Sequence, residues 1–265
     1  MRLEGKVALV TGAARGIGEA ISAKFVSEGA FVYVTDIDIT QGKLLEQSLG
    51  NSSKFMFLDV RDEDCWISAM NQIQDLHGAL DIVVNNAGIT GFEEGASVHD
   101  PENVTLEEWR KVHETNLDGV FLGCKYAIRA MRAKGHGSIV NISSRSGIVG
   151  VASAAAYASS KAAVRNHTKT VALYCAEQNL DIRCNSIHPA AILTPMWEKF
   201  LGTGPERDSR AKFFLQDIPM KRFGEPIEVA SLAVLLASDE AKYITGSELN
   251  IDGGILAGSI LSNSD

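Results

Sequence analysis

The chain is poor in cysteine, and its four, Cys65, Cys124, Cys175 and Cys184, form no Cys-x-x-Cys pair and have no histidines clustered beside them. That spacing argues against a zinc site and leaves buried, reduced thiols as the expectation. Positive charge is also short. With 25 Lys and Arg against 33 Asp and Glu, the net charge is −8, which speaks against a nucleic-acid or anionic-membrane partner, since both need a basic footprint. No apolar run approaches the length of a membrane-spanning helix. Met1–Lys6 runs straight into Val7-Ala8-Leu9-Val10 with no apolar leader and cleavage site. These absences set the expectation of a cytoplasmic protein. No repeat, low-complexity block or Pro/Gly/Ser-rich linker marks a boundary, so residues 1–265 read as one domain.

What is present is alternation. Strand-like apolar runs fall at Val7–Thr11, Phe31–Asp36, Lys54–Asp59, Asp81–Asn85, Ser138–Ser143, Ile182–His188 and Glu248–Ile251. Helix-length segments lie between them at Gly16–Glu28, Gln41–Leu49, Glu63–Leu76, Leu106–Lys134, Ala154–Glu177 and Glu225–Leu236. Strands this apolar are expected to be buried on both faces, and strand–helix alternation implies βαβ crossovers. The fold class expected is α/β, a doubly wound parallel sheet of about seven strands with helices on both faces. Two stretches break the rhythm: Thr90–Val104, with Gly91, Glu93, Glu94, Gly95 and Pro101, and Thr194–Gly224, which mixes Pro and Gly with Trp197, Phe200, Phe213 and Phe214. The aromatics favour an ordered lid for the second stretch, with a surface helical hairpin as the plainer alternative.

The first strand runs into Gly12-Ala13-Ala14-Arg15-Gly16-Ile17-Gly18 and then a helix. Glycines there let a pyrophosphate approach the helix N-terminus, where free N–H groups and the dipole favour an anion. The second strand ends on Asp36, 18 residues past Gly18, where a carboxylate would bind the adenosine ribose and repel a 2′-phosphate. Asp36, with no cation beside it at Ile37 and Asp38, predicts NAD; Arg15, which could pair with a phosphate, dissents. Further along, Tyr157 precedes Lys161 by four residues. On a helix the two share a face, and an ammonium there is expected to pull the phenol below its ordinary pKa of about 10.

With these motifs the chain resembles the short-chain dehydrogenase/reductase family over nearly its whole length. It also shows Asn85-Asn86-Ala87-Gly88, Asn116, Asn141-Ile142-Ser143-Ser144, Thr245-Gly246 and Asp252-Gly253-Gly254, with Ser144 thirteen residues before Tyr157. The resemblance implies a Rossmann-type domain in which Tyr157 transfers the proton, Lys161 tunes it and binds the nicotinamide ribose, Ser144 holds the substrate oxygen, and Asn116 holds a water. It places the cofactor against Gly12, Arg15, Gly16, Ile17, Gly18 and Asp36. Asp59 and Val60 would meet the adenine, Asn86, Ala87 and Gly88 the ribose, and Pro189, Ile192 and Thr194 the nicotinamide side. One departure stands out: the family's usual Pro-Gly is here Pro189-Ala190. Either the local φ is negative and alanine fits, or its methyl tightens the pocket. Ser143 is the decoy for Ser144, and Ser144 is preferred on spacing and strand alternation. Arg145 should point away from the pocket by the same alternation, and His188 reads as structural rather than as a ligand.

The pocket should be walled by Gly147–Ala154, Pro189–Ala190 and the Thr194–Gly224 lid. Ile148, Val149, Val151, Met196, Trp197 and Phe200 suit a hydrophobic secondary alcohol or ketone. Among relatives, hydroxysteroid and secondary-alcohol dehydrogenases look nearest. Two rivals stand beside that reading. One is a 3-oxoacyl-(acyl-carrier-protein) reductase, disfavoured by Asp36 and the charge, though Arg129, Arg132 and Lys134 leave it room. The other is a dinucleotide-binding regulatory protein without turnover, disfavoured because all four active-site residues are present. By family analogy the chain forms a homotetramer, paired through Leu106–Lys134 and Ala154–Glu177.

Overall fold

Every residue of the first strand, β1 (Val7–Thr11), is buried, so both of its faces must be covered. A computed structural model describes residues 1–93 and 98–258; Glu94 and Gly95 of the expected loop lie outside them, as do the last residues of the single-domain assignment. The other strands are β2 (Phe31–Asp36), β3 (Ser53–Phe57), β4 (Ile82–Asn85), β5 (His136–Ile142), β6 (Asp181–Pro189) and β7 (Glu248–Ile251). All pair in parallel, in the order β3-β2-β1-β4-β5-β6-β7. The expected doubly wound sheet is therefore present.

Side-chain alternation splits β1 between two cores. Ala8 and Val10 pack with Ile21 and Phe25 of α1 (Gly16–Ser27) and with Val229 and Val234 of α9 (Pro226–Ala237). Val7 and Leu9 face the opposite layer, with Trp66 and Ile73 of α3 (Glu63–His77), Tyr126 of α5 (Gly119–Arg132) and Val164 of α6 (Ala155–Glu177). Burying a side chain such as Leu9 contributes about 1.5–3 kcal/mol. The remaining helices are α2 (Ile39–Leu49), α4 (Leu106–His113), α7 (Pro195–Leu201) and α8 (Arg207–Leu215).

Two expectations need correction, and a third stretch gains detail. The expected helix Leu106–Lys134 is two helices, α4 and α5, joined by a wide π-helical turn over Glu114–Asp118. The cause is tertiary: the Asn116 amide is anchored to the backbone of Ile89, as described below. The third strand ends at Phe57, not Asp59. Leu58 still donates to the Asp36 carbonyl at 3.2 Å, after which the Asp59 carboxylate accepts from the backbone and guanidinium of Arg61 and the chain turns away. The stretch Thr194–Gly224 holds two short helices, α7 and α8, and its two ends meet. Ile192 bridges to Gly224, Leu193 N–H donates to the Gly224 carbonyl at 2.8 Å, and Gly224 N–H donates to the Ala191 carbonyl at 2.9 Å.

Candidate active site

In this sheet the strand order reverses between β1 and β4, and an open α/β sheet binds ligands in the crevice at such a point. Two loops meet there. Gly12 leaves β1 with φ +60°, and a methyl at that residue would stand 2.7 Å from the Ala87 Cα. The loop after β4 is tied down by its own amide, since Asn86 Nδ2 donates to the Thr11 and Gly12 carbonyls, both at 2.9 Å. The Thr11 hydroxyl accepts from Asn86 N–H and Ala87 N–H at 3.0 Å each. Thr11 was not singled out in the sequence, although its place at the end of the first strand could have marked it.

The glycine turn fits a dinucleotide. Arg15 stands at the N-cap of α1 without a side-chain cap, so the first N–H groups of that helix face outward for an anion. Gly18 packs so tightly that a methyl there would lie 2.3 Å from the Gly12 carbonyl oxygen. Thr194, at the start of α7, lies 3.5 Å from where a Gly16 methyl would stand, so turn and lid close on one strip. Asp36 points back at the turn, with one oxygen accepting from Ala14 N–H and the other from Asp38 N–H, both at 3.0 Å. Arg15 is exposed and makes no ion pair among the described residues. Asp59 is ion-paired to Arg61, which holds its carboxyl below the usual range. Val60 is buried, and its carbonyl accepts from the Trp66 indole at 3.0 Å. Pro189 ends β6, and Ile192 is buried at the foot of the lid.

The sequence-predicted polar residues converge one strand over. Asn116 is fully buried in the π-helical turn; its Nδ2 donates to the Ile89 carbonyl at 2.9 Å and to Ser160 Oγ at 3.1 Å, and its Oδ1 accepts from Ile89 N–H at 2.8 Å. Lys161, 4% exposed, donates to the Ile142 carbonyl at 3.0 Å. Gly88 keeps this corner open, since a methyl there would meet Asn116 Oδ1 at 3.1 Å and Lys161 Nζ at 3.2 Å. Of the two serines, Ser143 is taken, its hydroxyl donating to the Lys161 carbonyl at 2.8 Å. Ser144 instead turns its hydroxyl toward Tyr157, while accepting from Ser146 N–H at 3.1 Å.

The expected depression of the tyrosine is not found. Burial raises the Tyr157 phenol above its ordinary value; the Ser144 hydroxyl opposes this, and the Glu93 carboxylate adds to it. The Lys161 ammonium reaches across the ring, 5.7 Å from its centroid, to the backbone of β5. Lys161 is itself pushed down to about 8 by burial. Glu93 was noted in the sequence only as part of a loop. Its carboxylate accepts from Thr90 N–H, Thr90 Oγ1 and Gly91 N–H at 2.7–2.8 Å, and its carbonyl accepts from Lys199 of α7.

A family model described as Enoyl-(Acyl carrier protein) reductase matches residues 12–256. The NADP-dependent (R)-specific alcohol dehydrogenase of Lentilactobacillus kefiri is 42% identical over 259 residues, covering 97% of this chain and 98% of that protein. The chain belongs to the short-chain dehydrogenase/reductase family. A second member, the 3-alpha-(or 20-beta)-hydroxysteroid dehydrogenase of Mycobacterium tuberculosis (strain ATCC 25618 / H37Rv), is 39% identical over 257 residues, covering 97% of this chain and 92% of that protein. The crystal structure of gox2181 superposes with a TM-score of 0.89 at 31% identity, covering 97% of this chain and 98% of that one. Within this family, Ala190 is no strain. Among the described residues only Asn179 and Lys221 combine a side chain with positive φ, so the alanine sits in ordinary backbone, as one of the two sequence readings expected.

The lid's rings pack largely on one another. Trp197 lies 5.2 Å from Phe214 and 5.3 Å from Phe223, centroid to centroid, and Phe200 meets Phe92 of the opposite loop at 5.6 Å. The aromatics of this stretch thus form an ordered cluster, and Phe92, which the sequence reading passed over, is its contact with the opposite loop. Among the described residues no His, Cys, Asp and Glu cluster could hold a metal ion, and no helix is long and apolar enough to cross a membrane.

Proposed function

We propose that this short-chain dehydrogenase/reductase transfers a hydride between NAD(H) and a hydrophobic secondary alcohol or ketone, with Tyr157 as general acid and base. The observation that carries the reading is the convergence of Tyr157, Ser144, Lys161 and Asn116 beside the glycine turn at the reversal of the sheet. The nicotinamide, when bound, gives or takes the hydride. Tyr157 gives its proton to the carbonyl oxygen, or takes it from the alcohol. A phenol kept protonated by burial suits the donating direction at neutral pH. Ser144 donates to the same oxygen as its negative charge develops. Lys161 holds the nicotinamide ribose, and Asn116, fixed between Ile89 and Ser160, orders water behind it. Gly12, Gly16, Ile17 and Gly18 hold the pyrophosphate, and Asp36 the adenosine ribose.

The named relatives support this substrate class, since they act on alcohols and hydroxysteroids by their names. The cofactor divides them from this reading, because the Lentilactobacillus enzyme is NADP-dependent. One panel tests both points: cyclopentanone, a 3-oxosteroid and a 3-oxoacyl-carrier thioester, each followed with NADH and with NADPH. The expected result is turnover of one of the two ketones with at least about tenfold preference for NADH, the discrimination that one misplaced charge supplies. A clear NADPH preference overturns the reading of Asp36. Turnover of the thioester alone favours the acyl-carrier reductase, and tight NADH binding without any turnover favours the regulatory protein.

The chain is also proposed to assemble as a homotetramer through α5 and α6, where Phe121 and Leu173 remain exposed. Light scattering should give about four times the chain mass of 28.5 kDa; a monomeric mass refutes it.

A further inference from the structure

We propose that His188, with Ser186, is a positioning residue for Ser144, setting the serine hydroxyl against the substrate oxygen. The inference rests on the reading of Ser144 given above. β5 and β6 run in parallel with Ile142 paired to Ile187, and Ser143 N–H donates to the Ile187 carbonyl at 2.8 Å. The ladder cannot continue, because Pro189 has no N–H to offer β5. The His188 side chain makes the next link between the two strands, one residue further along, at the Ser144 carbonyl. His188 is fully buried, with Nδ1 3.2 Å from the Ser144 carbonyl and Nε2 2.8 Å from Ser186 Oγ.

The partners fix the tautomer. A carbonyl only accepts, so Nδ1 carries the proton and donates to Ser144. Nε2 is then an acceptor, and the Ser186 hydroxyl donates to it. Burial lowers the His188 pKa, which keeps the ring in this neutral form. The Ser144 carbonyl is thereby held by two donors, Nδ1–H of His188 and the N–H of Gly147 at 2.9 Å. With the Ser144 hydroxyl also receiving Ser146 N–H, the short turn that aims the serine is fixed at both its carbonyl and its side chain.

Two amide substitutions separate positioning from mere packing. In His188→Asn the amide nitrogen can stand where Nδ1 stood, and the Ser186 hydroxyl keeps an acceptor in the Ser247 carbonyl, 3.4 Å away. In His188→Gln the amide lies at the level of Nε2 and misses Ser144. With the ketone from the panel that the wild-type chain reduces faster, His188→Asn should keep kcat within about twofold. His188→Gln should lower kcat about tenfold, the rate equivalent of one misplaced hydrogen bond, with the KM for cofactor unchanged. Ser144→Ala is measured alongside. Equal kcat in folded His188→Asn and His188→Gln overturns the proposal. So does a folded His188→Asn that falls below a tenth of the wild-type rate, whether or not the Gln variant folds. Ser144→Ala at the wild-type rate overturns instead the reading of Ser144 on which the proposal stands.

Discussion

Replacing Tyr157 by Phe should lower kcat by about 10²–10⁴-fold while cofactor affinity stays within about twofold. The ring itself is retained, so its packing on α6 and the Lys161 contact over its face, 5.7 Å from the centroid, survive. Only the hydroxyl that faces Ser144 is lost. Steady-state rates with the best ketone, together with NADH titration by fluorescence, separate the two quantities. If turnover survives, proton transfer belongs to another group. A matched loss of cofactor binding would show instead that the hydroxyl holds the ribose.

The second large effect falls on stability. Burial pushes Lys161 from its ordinary 10.5 down to about 8. Below about pH 8 the ammonium is charged in both the folded and unfolded chain, and folding bears the full cost of desolvating it. Between about 8 and 10.5 the unfolded chain binds more protons than the folded one, so stability rises with pH across that window. Lys161→Met removes a cost on the order of 3 kcal/mol at pH 7, less about 1 kcal/mol for the lost bond to the Ile142 carbonyl. For a chain of this size the net gain of about 2 kcal/mol corresponds to a melting point about 4–8 °C higher at pH 7; above pH 10.5 the desolvation cost is gone and the lost bond leaves the variant about 2–4 °C below the wild type. Turnover should fall steeply in the same variant. Thermal melts at pH 7 and pH 10.5 decide the point, and a lower melting point at pH 7 counts against it. A lysine retained at such a cost is what a trade of stability for activity looks like.

Much of this site was legible because its causes are local. The glycine turn, the carboxylate at Asp36 and the strand alternation each follow from a few neighbouring residues, and they stand where expected apart from the end of the third strand. Ser144 was separable from Ser143 by its spacing to Tyr157 and by strand alternation, and the structure gives Ser143 its own partner in the Lys161 carbonyl. What the sequence hid depends on distant contacts. Nothing in Glu114–Asp118 announces a wide helical turn, because no proline or glycine lies within it; the Ile89 backbone, 27 residues away, captures the Asn116 amide. The direction of the Tyr157 shift was equally hidden. Spacing brought the ammonium near the ring but could not show that it would be held by β5, or that burial would outweigh it. The family likewise fixes the class of cofactor, a nicotinamide dinucleotide, while NAD rather than NADP is the proposal drawn from Asp36.

The clasp at the base of the lid has a consequence for engineering. Ala191, Ile192 and Leu193 join Gly224 through adjacent backbone contacts, so everything between them is a cassette whose ends are already fastened together. Closure entropy grows only slowly with length, about 0.6 kcal/mol for each doubling. Segments of different length and chemistry can therefore be grafted between these residues while β6 and the Ser144 turn stay undisturbed. With Tyr157 and Lys161 carried on α6 and Asn116 in the turn before α5, the clasp leaves these groups outside the exchanged segment.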